Sequence, residues 1–193
     1  KPLGYNDLLP IVLRALPHDA PFVILGESFS GPLALMAAAT RPPGLRGIVL
    51  CATFVQSPLW IRWPWLRHLV RPFAFRLYPQ FSQVRALVGR YATRGVRMLA
   101  EEAVAAVRPE VLAHRVRTVL QVNVIHELAA CTVPILYLRG TRDCVVPAHN
   151  AREIGAIRPA VRFESIDAPH MVLQNRPAEA AGVITRFVNE TIG

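Results

Sequence analysis

The sequence predicts an α/β fold, a parallel sheet flanked by helices with one long helical insertion, on three observations. Short strand-like runs, the wholly apolar 21–26 (PFVILG) first among them, are followed by segments with helical apolar spacing. The two textures alternate with Pro and Gly at the changeovers, as strands joined by crossover helices require. Between Ser57 and about Ala130 strand signals vanish and Pro- and Gly-punctuated helical segments take over.

The elements follow in order. Residues 5–16 (YNDLLPIVLRAL) carry helical apolar spacing, with Asn6 or Asp7 as the expected cap, Pro10 in the early turns and Pro17 as the stop. PFVILG (21–26) is a strand covered on both faces. Residues 29–40 form an Ala-rich helix ended by Arg41-Pro42-Pro43-Gly44, and LRGIVLCATF (45–54) is the next strand. After the helical block come VPILYLRG (133–140, strand), a helix over 147–157, VRFESI (161–166, strand) and a terminal helix over 177–190. The expected organisation is a core built from 1–56 and 131–193, with 57–130 as a helical cap.

Length and composition bound the function. A chain of 193 residues holds one domain with a real core. At 52% apolar and 18% charged it is globular rather than disordered. No apolar stretch reaches a membrane span without an Arg or Pro, and there is no signal-peptide pattern. Residue 1 is Lys, which suggests a fragment or a processed form. Cys51, Cys131 and Cys144 show neither metal-ligand nor disulfide spacing, so they read as small buried hydrophobes of a reducing, cytoplasmic compartment. The net charge of +9 is local: residues 57–100 hold eight Arg and no Asp or Glu, whereas the remainder has 14 basic against 13 acidic residues.

The chemistry centres on VILGESFSGPLAL (23–35). A nucleophile elbow needs a buried strand, a sharp turn and an immediate helix, with small residues two before and two after the serine. Gly26 and Ser30 fill those places around Ser28, Ser30 standing where Gly is usual, with Gly31 next. A bare G-x-S-x-[GS] also arises by chance in ordinary turns. A serine hydroxyl needs an imidazole base, and the imidazole needs a carboxylate. Asp143 follows the 133–140 strand and His170 the 161–166 strand, so all three lie at carboxyl ends of strands, where parallel sheets collect catalytic groups. Taken singly, Asp143 could cap a helix, His170 could be a surface turn residue, and Asp167 could compete with Asp143. Their joint order favours Ser28, Asp143 and His170 as a nucleophile–acid–base set. The Phe29 amide, at the start of the helix, is the expected oxyanion donor.

These motifs resemble the α/β-hydrolase superfamily over nearly the whole chain: GESFSG its elbow, GTRDCVVP its G-x-x-D-x-x-V-P acid loop, DAPH its histidine loop. The pattern is similar to small bacterial carboxylesterases, including pimeloyl-acyl-carrier-protein methyl ester esterase. The resemblance implies a serine hydrolase of carboxylic esters or thioesters, with no metal or organic cofactor, and a cap at 57–130. Family members have strands before the elbow and a His-Gly oxyanion motif that the 27 residues ahead of Ser28 lack. The expectation is therefore a core truncated at its N-terminus, with VILGE as an exposed sheet edge. Rival readings are an acyltransferase or perhydrolase on the same triad, and a non-catalytic partner-binding module.

In the cap, Trp60, Trp63, Trp65, Phe73, Phe75 and Tyr78 interleave with Arg62, Arg67, Arg71 and Arg76. The first expectation is a lid whose apolar residues (Trp60, Trp63, Trp65 and Phe73) face substrate while Arg faces water. The second gives Arg62, Arg67, Arg71 and Arg76 to an acidic carrier protein or anionic substrate. Membrane contact is a weaker reading, and nucleic acid is not expected, because no nucleic-acid motif accompanies the charge.

Overall fold

The computed structural model describes residues 2–59, 66–77 and 79–192, with backbone alone at 66, 67, 76 and 77. Four parallel strands, β1 (Phe22–Glu27), β2 (Leu45–Cys51), β3 (Ile135–Gly140) and β4 (Arg162–Ile166), lie side by side in chain order. Each is connected to the next by helix, the connection parallel strands require. Helices α2 (Ser30–Ala39), α9 (His149–Ile157), α10 (Val172–Asn175) and α11 (Pro177–Ile192) flank the sheet, and α1 (Tyr5–Ala15) packs on α2. Between β2 and β3 run α3 (Leu66–Leu69), α4 (Pro72–Leu77), α5 (Gln80–Val88), α6 (Arg94–Ala105), α7 (Pro109–Val119) and α8 (Ile125–Ala130).

The strand period of two splits the core into two layers. Ile48, Leu50, Ile135 and Tyr137 point to one face, against Leu35 of α2, Leu128 of α8 and Ile154 of α9. Val49, Cys51, Leu136 and Leu138 point to the other, against Val172, Val183 and Phe187 of α10 and α11. Both faces of β2 and β3 are covered, which is why these two read as largely apolar runs, whereas β4 alternates half-buried and exposed residues and β1, expected to be covered on both faces, is not. β1 is an edge strand, with Leu25 41% exposed.

Three local expectations need correcting. The cap of α1 is Gly4; Asp7 sits in the first turn and its carboxylate accepts from the Gly4 N–H at 2.9 Å. The 45–54 strand stops at Cys51, because Ala52 takes φ 45° and turns the chain towards the elbow. Cys51 and Cys131 are buried as expected, but Cys144 is exposed.

The helical block also departs from the lid pattern. Leu69, Phe73, Phe81, Tyr91, Met98 and Leu99 are all exposed, so its apolar side chains do not simply face inward. Arg71, Arg85, Arg90, Arg94 and Arg97 are exposed among them. Val84, Val88 and Ala100 form a small separate core between α5 and α6.

Candidate active site

At the end of β1 the chain turns sharply into α2, and Ser28 holds the turn at φ 51°. A non-glycine residue there is strained by roughly 1–3 kcal/mol and persists only where its surroundings over-determine it. Three hydrogen bonds do so. The Ser28 N–H donates to the Cys51 carbonyl at 2.8 Å, and the Ser28 carbonyl accepts from the Gly31 N–H at 3.1 Å and from the Thr53 hydroxyl at 2.6 Å. The turn also needs missing side chains. A Cβ on Gly26 would meet the Ser30 carbonyl oxygen at 2.7 Å, and one on Gly31 would meet Thr53 Oγ1 at 2.1 Å. The tight packing after the serine is therefore at Gly31, one residue beyond the expected position, while Ser30 folds its hydroxyl back onto the Glu27 carbonyl at 2.8 Å.

Gly31→Ala is expected to destabilise the fold by about 1–3 kcal/mol, as overpacking does. Thr53 is fully buried and already committed to Ser28, so it cannot swing aside without releasing the elbow. The measurement is the urea midpoint, and an unchanged midpoint would show that Thr53 moves freely.

The two later loops are laced together. The Thr141 N–H donates to Ile166 O at 2.9 Å, and the Arg142 N–H donates to Ala168 O at 3.0 Å. This places Asp143 opposite His170. His170 Nδ1 lies 2.9 Å from Asp143 Oδ2, and His170 Nε2 lies 2.8 Å from Ser28 Oγ. Both the Asp143 and His170 side chains are 4% exposed. Asp143 Oδ1 accepts from the Val145 N–H at 2.8 Å and the Val146 N–H at 2.9 Å. An ionised carboxylate only accepts, so Nδ1 carries the ring proton and Nε2 is left to accept from the serine hydroxyl.

Asp167, the competing carboxylate, faces elsewhere. It accepts from Thr141 Oγ1 at 3.2 Å and pairs with Arg142 Nε at 2.8 Å. His149 lies against Asn150, with Nε2 3.3 Å from Nδ2. Phe29 precedes α2, its ring stacked on Tyr5 at 4.6 Å between centroids with the Arg115 guanidinium 5.6 Å from its centroid. Its backbone N–H has no acceptor among the described residues, which leaves it available beside Ser28.

Of the expected cap residues, Trp60, Arg62, Trp63 and Trp65 lie outside the described residues. Arg67 falls on α3 and Arg76 on α4, described by backbone alone. Phe73, expected to face substrate, is 60% exposed on α4, and Arg71 is exposed just before that helix.

Two contacts escape sequence reasoning. Gln174 Nε2 donates to Glu27 Oε2 at 3.0 Å, tying the residue before the serine to the helix after the histidine. The Met171 N–H donates to Leu87 O at 2.9 Å, joining α5 to the histidine loop. Cys51 lies beneath the site, and its thiol is pushed well up, first by burial and then by the charges of Glu27 and Asp143. Among the described residues no cluster of His, Cys, Asp or Glu could hold a metal ion, and no helix is long and apolar enough to cross a membrane.

The comparisons with known proteins agree with this architecture. A family model described as serine aminopeptidase S33 matches residues 6–168. No curated protein matches the chain. Among solved structures, a thermophilic esterase from Thermogutta terrifontis superposes with a TM-score of 0.78 at 20% identity, over 98% of this chain and 72% of that one. A hydrolase from Pseudomonas aeruginosa gives 0.78 at 20%, over 97% and 73%. The enol-lactonase from Burkholderia xenovorans LB400 gives 0.71 at 19%, over 98% and 73%. At these identities the likeness is one of fold, and the fold is that of an α/β-hydrolase.

Proposed function

The chain belongs to the serine aminopeptidase S33 family of α/β-hydrolases, and from that premise we propose that it is a serine hydrolase cleaving carboxylic esters or thioesters through an acyl-enzyme. One observation carries the reading: the continuous chain Ser28 Oγ, His170 Nε2, His170 Nδ1, Asp143 Oδ2, with links of 2.8 and 2.9 Å.

Ser28 Oγ attacks the acyl carbonyl carbon while His170 Nε2 takes its proton. Asp143 stabilises the resulting imidazolium and holds its tautomer. The Phe29 N–H donates to the developing oxyanion, a contribution worth about 10²–10³ in rate where such donors have been removed elsewhere. His170 returns the proton to the leaving alkoxide or thiolate, and water deacylates the serine by the same path in reverse. Esters are preferred over aminoacyl substrates for an electrostatic reason. An aminopeptidase substrate brings an ammonium group, and the 57–100 stretch of the sequence carries eight Arg with no acid to receive it.

A fluorophosphonate should label Ser28 alone, as located by mass spectrometry of the tagged peptide. A label on any other serine overturns the assignment. Alongside it, p-nitrophenyl acetate should turn over at least about tenfold faster than leucine p-nitroanilide, and the opposite order would return the substrate to the aminopeptidase class.

A further inference from the structure

A second cleft, outside the Ser28–His170 contact, lies between the α5–α6 turn and the back of the histidine loop. It has a volume of about 450 Å³ and is walled by Val88, Tyr91, Val96 and Pro169 among apolar groups. Its charged lining is Arg90, Arg142, Asp167 and Arg176. Three guanidinium groups thus meet one carboxylate.

The arrangement is built rather than incidental. Arg142 Nη2 donates to the Asp167 carbonyl oxygen at 3.0 Å, and Arg176 Nε donates to the same oxygen at 3.3 Å. Two like charges are therefore pinned side by side on one neutral acceptor. The Asp167 carboxylate offsets only one of them, and its Oδ1 already serves both Arg142 and Thr141. Across the cleft, Arg90 lies over the Tyr91 ring at 4.6 Å from the centroid. That lip is held close by Gly89, at φ 73°, where a Cβ would come within 3.3 Å of Pro169, and by the Met171–Leu87 hydrogen bond. Beyond Arg90, a neighbouring hollow adds Arg85 and Arg97 against a single acid, Glu101. Together the two hollows are lined by five Arg (Arg85, Arg90, Arg97, Arg142 and Arg176) against two acids, Asp167 and Glu101.

We propose that this cleft binds a small organic phosphate monoester, its dianion bridging Arg90 to the Arg142–Arg176 pair and its apolar stem lying against Tyr91 and Val96. A dianion matches the excess of two positive charges. Guanidinium groups suit it because their paired N–H donors fit phosphate oxygens two at a time. Bound there, it ties the helical block to the loop that carries His170. The inference concerns binding alone and stands apart from the ester-hydrolase reading.

The test is calorimetric titration of the protein with phenyl phosphate, phenol and benzoate at pH 7.5 in low salt. Phenyl phosphate should bind at least about tenfold more tightly than benzoate, and phenol should give no heat. The Arg90→Gln/Arg176→Gln variant should lose at least about tenfold in phenyl phosphate affinity, whereas Arg14→Gln, on α1, should match the parent. Both variants must keep the parent melting temperature, and if the double variant does not, each single substitution should show a loss of about threefold. No binding of phenyl phosphate, equal binding by the double variant, or an equal loss in Arg14→Gln would each overturn the proposal.

Discussion

Ser28→Ala is expected to remove hydrolysis of p-nitrophenyl acetate almost entirely, with kcat falling at least about 10⁴-fold. The geometry leaves no substitute. Ser28 Oγ is the hydroxyl 2.8 Å from His170 Nε2, and the nearest rival in sequence, Ser30, spends its proton on the Glu27 carbonyl. Ser30→Ala should therefore stay within about tenfold of the parent. The melting temperature of Ser28→Ala should hardly move, because the elbow is fixed through backbone groups of Ser28 and not through its hydroxyl. Turnover that survives in Ser28→Ala, or a collapse in Ser30→Ala with the fold intact, would mean that the nucleophile has been misplaced. Losing both activity and fold in Ser28→Ala would show that the hydroxyl has a structural role that the hydrogen bonds do not reveal.

β2 and β3 could be read from the sequence because both of their faces are covered. Val49 and Ile48 are both fully buried, on opposite sides, so GIVLC and ILYL stand out as apolar runs, as PFVILG does at the sheet edge. Ser28, Asp143 and His170 could be read because each follows its own strand, and position at a strand end is a property of local sequence. Contacts between distant segments leave no such mark. Gly31 owes its place to Thr53, 22 residues on in the chain. The end of β2 at Cys51, where Ala52 takes φ 45°, leads into another such contact, the Thr53 hydroxyl on the Ser28 carbonyl. Glu27 with Gln174 and Leu87 with Met171 are likewise pairings that only the folded chain brings together. The helical block was the least readable part. Its alternation of aromatic and Arg residues suits a lid lining or an outward surface equally well, and the exposure of Phe73, Phe81 and Tyr91 shows how little spacing alone decides there.

Asp143→Asn should lower kcat by about 10⁴-fold while leaving the fold in place. The reason lies in the two oxygens of Asp143. Oδ1 accepts from the amides of Val145 and Val146, so in the Asn variant the amide oxygen stays on that side, because an NH₂ there would face two donors. The NH₂ then points at His170 Nδ1 across the 2.9 Å gap that Oδ2 now spans. An NH₂ donates, so Nδ1 must become the acceptor and the ring proton must move to Nε2. With Nε2 protonated, the imidazole donates towards Ser28 and cannot take its proton. KM should change by no more than a few fold, since no group that would touch the acyl chain has been altered. Asp167→Asn is the contrasting variant. Its carboxylate pairs with Arg142 and Thr141 at the surface, so it should keep kcat within about threefold. Full activity in Asp143→Asn would remove Asp143 from the mechanism. A loss in Asp167→Asn as large as that in Asp143→Asn would assign the orienting role to the wrong carboxylate.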